Sequence, residues 1–149
     1  MTKKVPDGFH TLTPTLTVNG AAKAIDLYTK AFNAKEEYRT EMPDGSGKIM
    51  HACIKIGDSN LFISDTDPNM CPTATISTFY AYFNDVDAAF KQAKQAGLNE
   101  LFPVSDMFWG DRMGSLKDSF GITWTVATHV RDVSPEEMEE AKKNFGKAA

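Results

Sequence analysis

The sequence predicts an α+β domain made of two copies of one β-α-β-β-β unit followed by a final helix. Three observations carry that prediction. Alternating apolar and polar residues mark short strands, apolar residues spaced three and four apart mark amphipathic helices, and the order of these elements recurs after about 63 to 65 residues.

The first strand is expected over Leu12 to Val18, where Leu12, Pro14, Leu16 and Val18 alternate with Thr13, Thr15 and Thr17. Asn19-Gly20 suits a helix entry. Ala21, Ala24, Ile25, Tyr28, Ala31 and Phe32 then share one stripe of a helix that ends at Asn33-Ala34. Lys35 to Glu41 reads as an outer strand and Pro43-Asp44-Gly45-Ser46-Gly47 as a turn. In Lys48 to Ile56, Met50, Ala52, Ile54 and Ile56 oppose His51, Cys53 and Lys55, as the two faces of a strand require. Gly57-Asp58 turns the chain into a strand over Asn60 to Asp65, which completes a first module at about residues 9–66. Thr66 to Ser77, with Pro68, Asn69 and Pro72, is a polar linker.

The second module, about residues 76–130, repeats the pattern. Thr78 to Phe83 is a strand. Asp85 is placed to cap a helix whose stripe is Val86, Ala89, Phe90 and Ala93, and Gly97 follows it where a positive φ suits glycine. Leu98 to Val104 and Arg112 to Lys117 are strands, and Asp118-Ser119-Phe120-Gly121 turns the chain into a last strand over Ile122 to His129. Ser134-Pro135-Glu136-Glu137 then forms a capping box, with serine at the cap, proline at the first helical position and glutamate three residues beyond the cap. The helix it opens, at about residues 134–146, carries Met138, Ala141 and Phe145 on one side, an apolar stripe for its own domain or a second subunit.

A chain of 149 residues with 42% hydrophobic and 24% charged residues has the composition of one ordinary folded domain with a real core. No apolar run reaches the ~20 residues of a membrane-crossing helix, and no apolar stretch follows the first lysines as a secretory signal would require. A cytoplasmic protein is expected. The net charge of −4, without any Lys/Arg run, argues against nucleic acid as a partner. Cys53 and Cys71 are expected as free thiols, Cys53 in packing.

Several strings carry a resemblance over nearly the whole chain: Val5 through Thr11, Asn19-Gly20-Ala21-Ala22, Lys48-Ile49-Met50-His51-Ala52, Trp109-Gly110-Asp111-Arg112, Asp118 through Gly121, and Ala127-Thr128-His129 running on to Glu137. In these the sequence resembles the PhnB-like branch of the glyoxalase/bleomycin-resistance/dioxygenase (vicinal oxygen chelate) superfamily. The resemblance implies that the two modules form an open eight-stranded half-barrel around a cavity, often in a homodimer. It implies no single reaction, because the superfamily spans isomerases, epimerases, ring-cleaving dioxygenases and drug-sequestering proteins. Metal-dependent relatives hold a divalent ion with His, Gln or Glu on the first and last strands of each module. The corresponding positions here are Thr13, Phe62 or Ser64, Tyr80 and Thr125, none of them a usual ligand, so no metal and no cofactor are expected. A methyltransferase label used for this branch finds no glycine-rich strand-loop-helix to hold S-adenosylmethionine.

Alternation alone puts Thr13, Thr15, Thr17, His51, Cys53, Phe62 and Ser64 of the first module on the cavity side, with Tyr80, Tyr82, Ser115, Thr125, Ala127 and His129 of the second. Such a lining suits an organic molecule with an apolar body and a few hydrogen-bonding groups, unless the aromatic rings simply fill the space. His51 and His129 are the candidates for proton transfer, or else histidines bonded to backbone at strand ends; His10 falls on the other face and is read as structural. In the hairpin at the rim, Arg112 is either a clamp for a carboxylate or phosphate or the partner of Asp111 in a local ion pair. Trp109 there either covers a ligand or packs on the last helix. The expected ligand set is thus Thr13, Thr15, Phe62, Tyr80, Tyr82, Trp109, Arg112 and Thr125. The expected protein binds a small molecule; the alternative is an isomerase or lyase using His51 and His129, or a metal enzyme with other ligands.

Overall fold

In the computed structural model, which describes residues 2–144, the elements follow the predicted order twice. Module one comprises β1 (Thr15–Val18), α1 (Ala21–Phe32), β2 (Lys35–Glu41), β3 (Ile49–Ile56) and β4 (Ser59–Asp65). Module two comprises β5 (Ser77–Tyr82), α2 (Val86–Ala96), β6 (Asn99–Asp106), β7 (Asp111–Lys117) and β8 (Ile122–His129), and α3 (Pro135–Asn144) follows. The strands form two four-stranded sheets of identical plan, β1-β4-β3-β2 and β5-β8-β7-β6. In each, the first strand runs parallel to the last and every other pair is antiparallel. No closed barrel results, as the half-barrel expectation requires.

Most boundaries agree with the sequence to within two residues. The first strand is the exception: it begins at Thr15, not Leu12, because β4 supplies partners only from Phe62 onward, and Leu12 is left 86% exposed. Of the stripe expected on the last helix, Phe145 lies outside the described residues. Met138 and Ala141 are only half-buried, and no residue of α3 is fully buried. Its start is as expected: Ser134 N donates to Glu137 Oε2 and Glu137 N donates to Ser134 Oγ, both at 3.1 Å.

The helical stripes meet their sheets as drawn. Ala21, Ala24, Ile25, Tyr28, Ala31 and Phe32 are all buried on α1, and Val86, Phe90 and Ala93 on α2. Gly114 of β7 lets Phe90 sit close, since a Cβ there would come within 2.9 Å of its ring. The entry to α1 differs from a local cap. Gly20 is in the left-handed region with no side-chain cap of its own, and Asp65 at the end of β4 does the capping. Asp65 Oδ1 accepts from Gly20 N and Ala21 N, and its Oδ2 accepts from Ile49 N. One buried carboxylate thus ties β4, β3 and the positive end of α1 together.

The two modules join along their helices and through an aromatic core. Phe32 of α1 stacks on Phe83 and packs on Trp124 of β8, and Tyr28 meets Trp124 edge to face at 5.0 Å. At the centre, Asp118 Oδ2 accepts from Tyr28 OH (2.6 Å) and Trp124 Nε1 (3.0 Å), while its Oδ1 accepts from Phe120 N and Ile122 N. Burial above all, then the Asp118 bond, pushes the Tyr28 phenol far up, so it stays a neutral donor. The turn residue Asp118 is therefore also the polar link between modules. Gln92 Nε2 adds bonds to Lys30 O and Asn33 Oδ1 across the helix pair.

Candidate functional site

The outer edge of β1 is held by the linker where Thr75 N donates to Thr17 O and Thr17 N donates to Thr75 Oγ1. Away from this tie a cavity of about 490 Å³ opens between the modules. Module one contributes Pro14 and the β3–β4 turn from Ile56 to Leu61; module two contributes Phe79 through Phe83 and Trp124. The wall is mainly apolar and aromatic, with Asp58, Ser59, Tyr80 and Tyr82 as its polar side chains.

Tyr80 and Tyr82 connect this cavity to a second feature. Asp111, the first residue of β7, is 3% exposed, and its Oδ2 accepts from Tyr80 OH at 2.6 Å and Tyr82 OH at 2.8 Å. Its Oδ1 lies 2.8 Å from His129 Nδ1, and His129 Nε2 lies 2.8 Å from Asp132 Oδ1. Trp109 Nε1 donates to Tyr80 OH at 3.3 Å. The two tyrosine rings are 5.3 Å apart, and the residues as a whole remain 44% and 61% exposed. A carboxylate hidden beneath two exposed rings is the result.

The register brings these groups together. Asp111 pairs with His129 across β7 and β8, so the Trp-Gly-Asp-Arg and Ala-Thr-His strings, 15 and more residues apart in sequence, form one cluster. Gly110 fastens it. Its carbonyl accepts from Val130 N and Arg131 N, its φ is 101°, and a Cβ there would lie 2.2 Å from Arg131 O. Only glycine permits that approach, which positions Asp132 against His129.

The electrostatics follow from these contacts. Burial on its own would raise the Asp111 carboxyl, but hydrogen bonds from Tyr80, His129 and Tyr82 outweigh it and hold the group below the usual aspartate range. The bond to Asp132, then that to Asp111, raises His129 above the usual histidine value and favours an imidazolium that donates from both nitrogens. Burial, then the Asp111 bond, pushes the Tyr80 phenol up to about 12. The Asp111 bond likewise raises Tyr82. Both phenols are neutral donors near pH 7.

The other expected site residues are placed as follows. Of the eight expected to touch a ligand, only Tyr80 and Tyr82 line the cavity, and Trp109 adjoins it through Tyr80. Thr15 is on exposed β1 surface, and Thr15 Oγ1 reaches Thr13 O at 3.4 Å. Phe62 packs on Phe9 and edge-on to His51. Thr125 is 6% exposed and its Oγ1 shares a 2.8 Å hydrogen bond with Ser115 Oγ. His51 and His129 stand in separate networks, His51 Nε2 being 3.1 Å from Tyr38 OH on β2. Cys53, 1% exposed, is a packed free thiol that burial pushes up, and Cys71 is also free.

Arg112 departs from both sequence expectations. It does not pair with Asp111, because neighbours on a strand point to opposite faces. Its Nε and Nη2 are each 3.0 Å from Asp87 on α2, and its Nη1 is 3.2 Å from Asp106. Held by two carboxylates on the helix side, it is not presented to the cavity as an anion clamp. Trp109 is half-buried, its Nε1 donating to Tyr80 OH and its ring meeting Phe108 edge to face. From sequence, Asp111 is expected only in a local ion pair with Arg112, and Asp132 and Asp58 have no site role. The signal for Asp111 was available, since its residue falls opposite His129 once β7 and β8 are aligned as a hairpin.

Comparison with known proteins agrees with this architecture. A Mycobacterium bovis protein, Mb0911c, is 38% identical over 144 residues, covering 91% of this chain and 93% of that protein. The crystal structure of TioX from Micromonospora sp. ML1 superposes with a TM-score of 0.67 at 23% identity, covering 82% of this chain and all (100%) of the other. A PhnB protein from Bacillus cereus superposes with a TM-score of 0.62 at 19% identity, covering 80% and 99%. Among the described residues no helix is long and apolar enough to cross a membrane. Residues 9–126, which take in the first module and the second almost to the end of β8, match the family as a whole, and the chain belongs to the Glyoxalase/Bleomycin resistance protein/Dioxygenase superfamily.

Proposed function

We propose that the protein binds a small organic molecule with an aromatic or apolar body in the cavity between its modules. One observation carries this: Tyr80 and Tyr82 belong both to the cavity wall and to the Asp111–His129 network. A ligand against these rings would meet a mainly apolar wall whose tyrosines are held in place by Asp111. A volume of about 490 Å³ is within the size range of small-molecule sites.

The same proposal omits the divalent ion that metal-dependent relatives hold. At the matching positions, Phe62 is occupied with Phe9 and His51, the Thr125 hydroxyl with Ser115, and the Tyr80 hydroxyl with Asp111. Ring carbons and neutral hydroxyls do not suit a divalent cation, which requires carboxylate or imidazole donors. Association into a homodimer is part of the proposal, supported by the incompletely buried Met138–Ala141 side of α3. Sedimentation velocity tests it: a single monomer-sized boundary across the micromolar range rejects it.

A thermal-shift screen of metabolites against untagged protein, paired with elemental analysis, tests the central claim. The expected result is a ligand that raises Tm without stoichiometric metal, with affinity reduced about tenfold by Tyr82→Ala through loss of a buried aromatic contact. Leu101→Ala on the outer strand β6 should leave that affinity unchanged. A stoichiometric ion whose removal abolishes ligand binding overturns the proposal. A catalytic reading has one specific support, the His129 ring held between two carboxylates and half exposed, as a proton donor near neutral pH requires. Turnover lost in His129→Gln, with binding retained, would select it.

A further inference from the structure

We infer that the ligand of this cavity is an organic cation, a planar or alkyl ammonium-type molecule with an apolar body; this rests on the cavity being the binding site. The first support is the charge of the wall. Among the described residues lining it there is no Lys, Arg or His, and its one ionisable acid or base besides the tyrosines is Asp58. Asp58 is on the module-one side, at the β3–β4 turn, with its Oδ1 accepting from Ser59 Oγ.

The second support comes from the opposite wall. Tyr80 and Tyr82 both donate their protons to Asp111, so neither hydroxyl proton is free to serve an anionic ligand. Their exposed ring faces carry the negative side of the aromatic quadrupole, and the carboxylate behind them adds to it. The network as a whole is not neutralised by its histidine: Asp111 and Asp132 carry two negative charges against at most one positive charge on His129. An anionic ligand would meet the Asp58 carboxylate on one side and no cationic side chain in the wall. Arg112 at the β7 start is committed to Asp87 and Asp106. A cation instead meets ring faces, phenol oxygens and Asp58, and pays little to leave water because each replaces hydration with an electron-rich partner.

Three fluorescent probes with one three-ring body separate the possibilities: 9-aminoacridine, cationic at pH 7, 9-anthracenemethanol, neutral, and 9-anthracenecarboxylate, anionic. Fluorescence titrations of the intact protein should show the cation binding about tenfold tighter than the neutral probe, as a cation over desolvated rings does, and the anion weakest. Tyr82→Ala and Asp58→Asn should each weaken the cation several-fold while narrowing the gap between probes. Equal or tighter binding of the anion, still dependent on Tyr82, overturns the charge assignment and leaves the cavity as the site. Binding of all three that ignores Tyr82→Ala overturns the cavity itself. For that variant, an unchanged far-UV spectrum and urea midpoint certify the fold, and Tyr82→Phe, which keeps the ring, should retain most of the preference.

Discussion

The two modules have one backbone plan and opposite uses for the same positions. Through the shared register, Tyr80, Tyr82, Asp111 and His129 of module two correspond to Thr15, Thr17, Ile49 and Thr66 of module one. Where module two builds a hydrogen-bonded aromatic and acidic cluster, module one has short hydroxyls and a buried isoleucine. The reverse holds at the helix entry. Module one uses the buried Asp65 to cap α1, whereas its counterpart Thr128 bonds Val86 N and Phe83 O, and Asp85 supplies the cap from α2's own entry. The duplicated frame thus fixes where side chains can point, and a few residue differences within it decide which half holds the hydrogen-bonded acidic cluster.

The comparison can be broken at several points, beginning with the largest effect. Asp65→Ala leaves three backbone N–H groups without their acceptor, two of them in the buried interior, and should cost about 3 kcal/mol in urea unfolding. Thr128→Val at the matching position should cost only about 1 kcal/mol, because Asp85 still caps α2. Equal losses would show that the modules share one capping scheme. Gly110→Ala forces a Cβ onto Arg131 O at positive φ and should cost about 2 kcal/mol, read from the same denaturation curves.

Asp111→Asn removes the charge that Tyr80, Tyr82 and His129 share. The His129 titration, followed by NMR of its ring protons, should shift downward; an unchanged midpoint would mean that Asp132 alone sets it. The smallest effect is on pH dependence. Because folding raises His129, its contribution is complete below the ordinary histidine value of 6.5 and fades as pH rises through the higher folded value. Asp111, held low, contributes above the ordinary aspartate value of 3.8 and loses its contribution as pH falls through the lower folded value. Between those two ordinary values both are present, so the stability gap between the native protein and His129→Gln should be widest there and shrink toward alkaline pH. A gap that grows with pH would contradict the imidazolium.

Much of this was legible in the chain. Periodicity drew α1 at its observed bounds and β8 as well, and parity put Tyr80, Tyr82 and His129 on one face. The errors share a cause. Leu12 alternates as well as Leu16 does, but a strand needs a partner, and none is beside it. Arg112 is next to Asp111 in sequence and on the other face of β7 in space, so adjacency suggested a pair that the pleat forbids.

What the sequence determined by itself was the list of elements, their duplication and the face each side chain takes, because these depend on local periodicity and on nearby turn and cap residues. Only the tertiary structure decided which faces meet. That Asp65 reaches across to α1, that Asp118 joins Tyr28 to Trp124, and that Asp111 settles beneath two tyrosines against His129 are long-range hydrogen bonds. A buried carboxylate must find donors wherever packing brings them, and no local pattern encodes which distant strand will supply them.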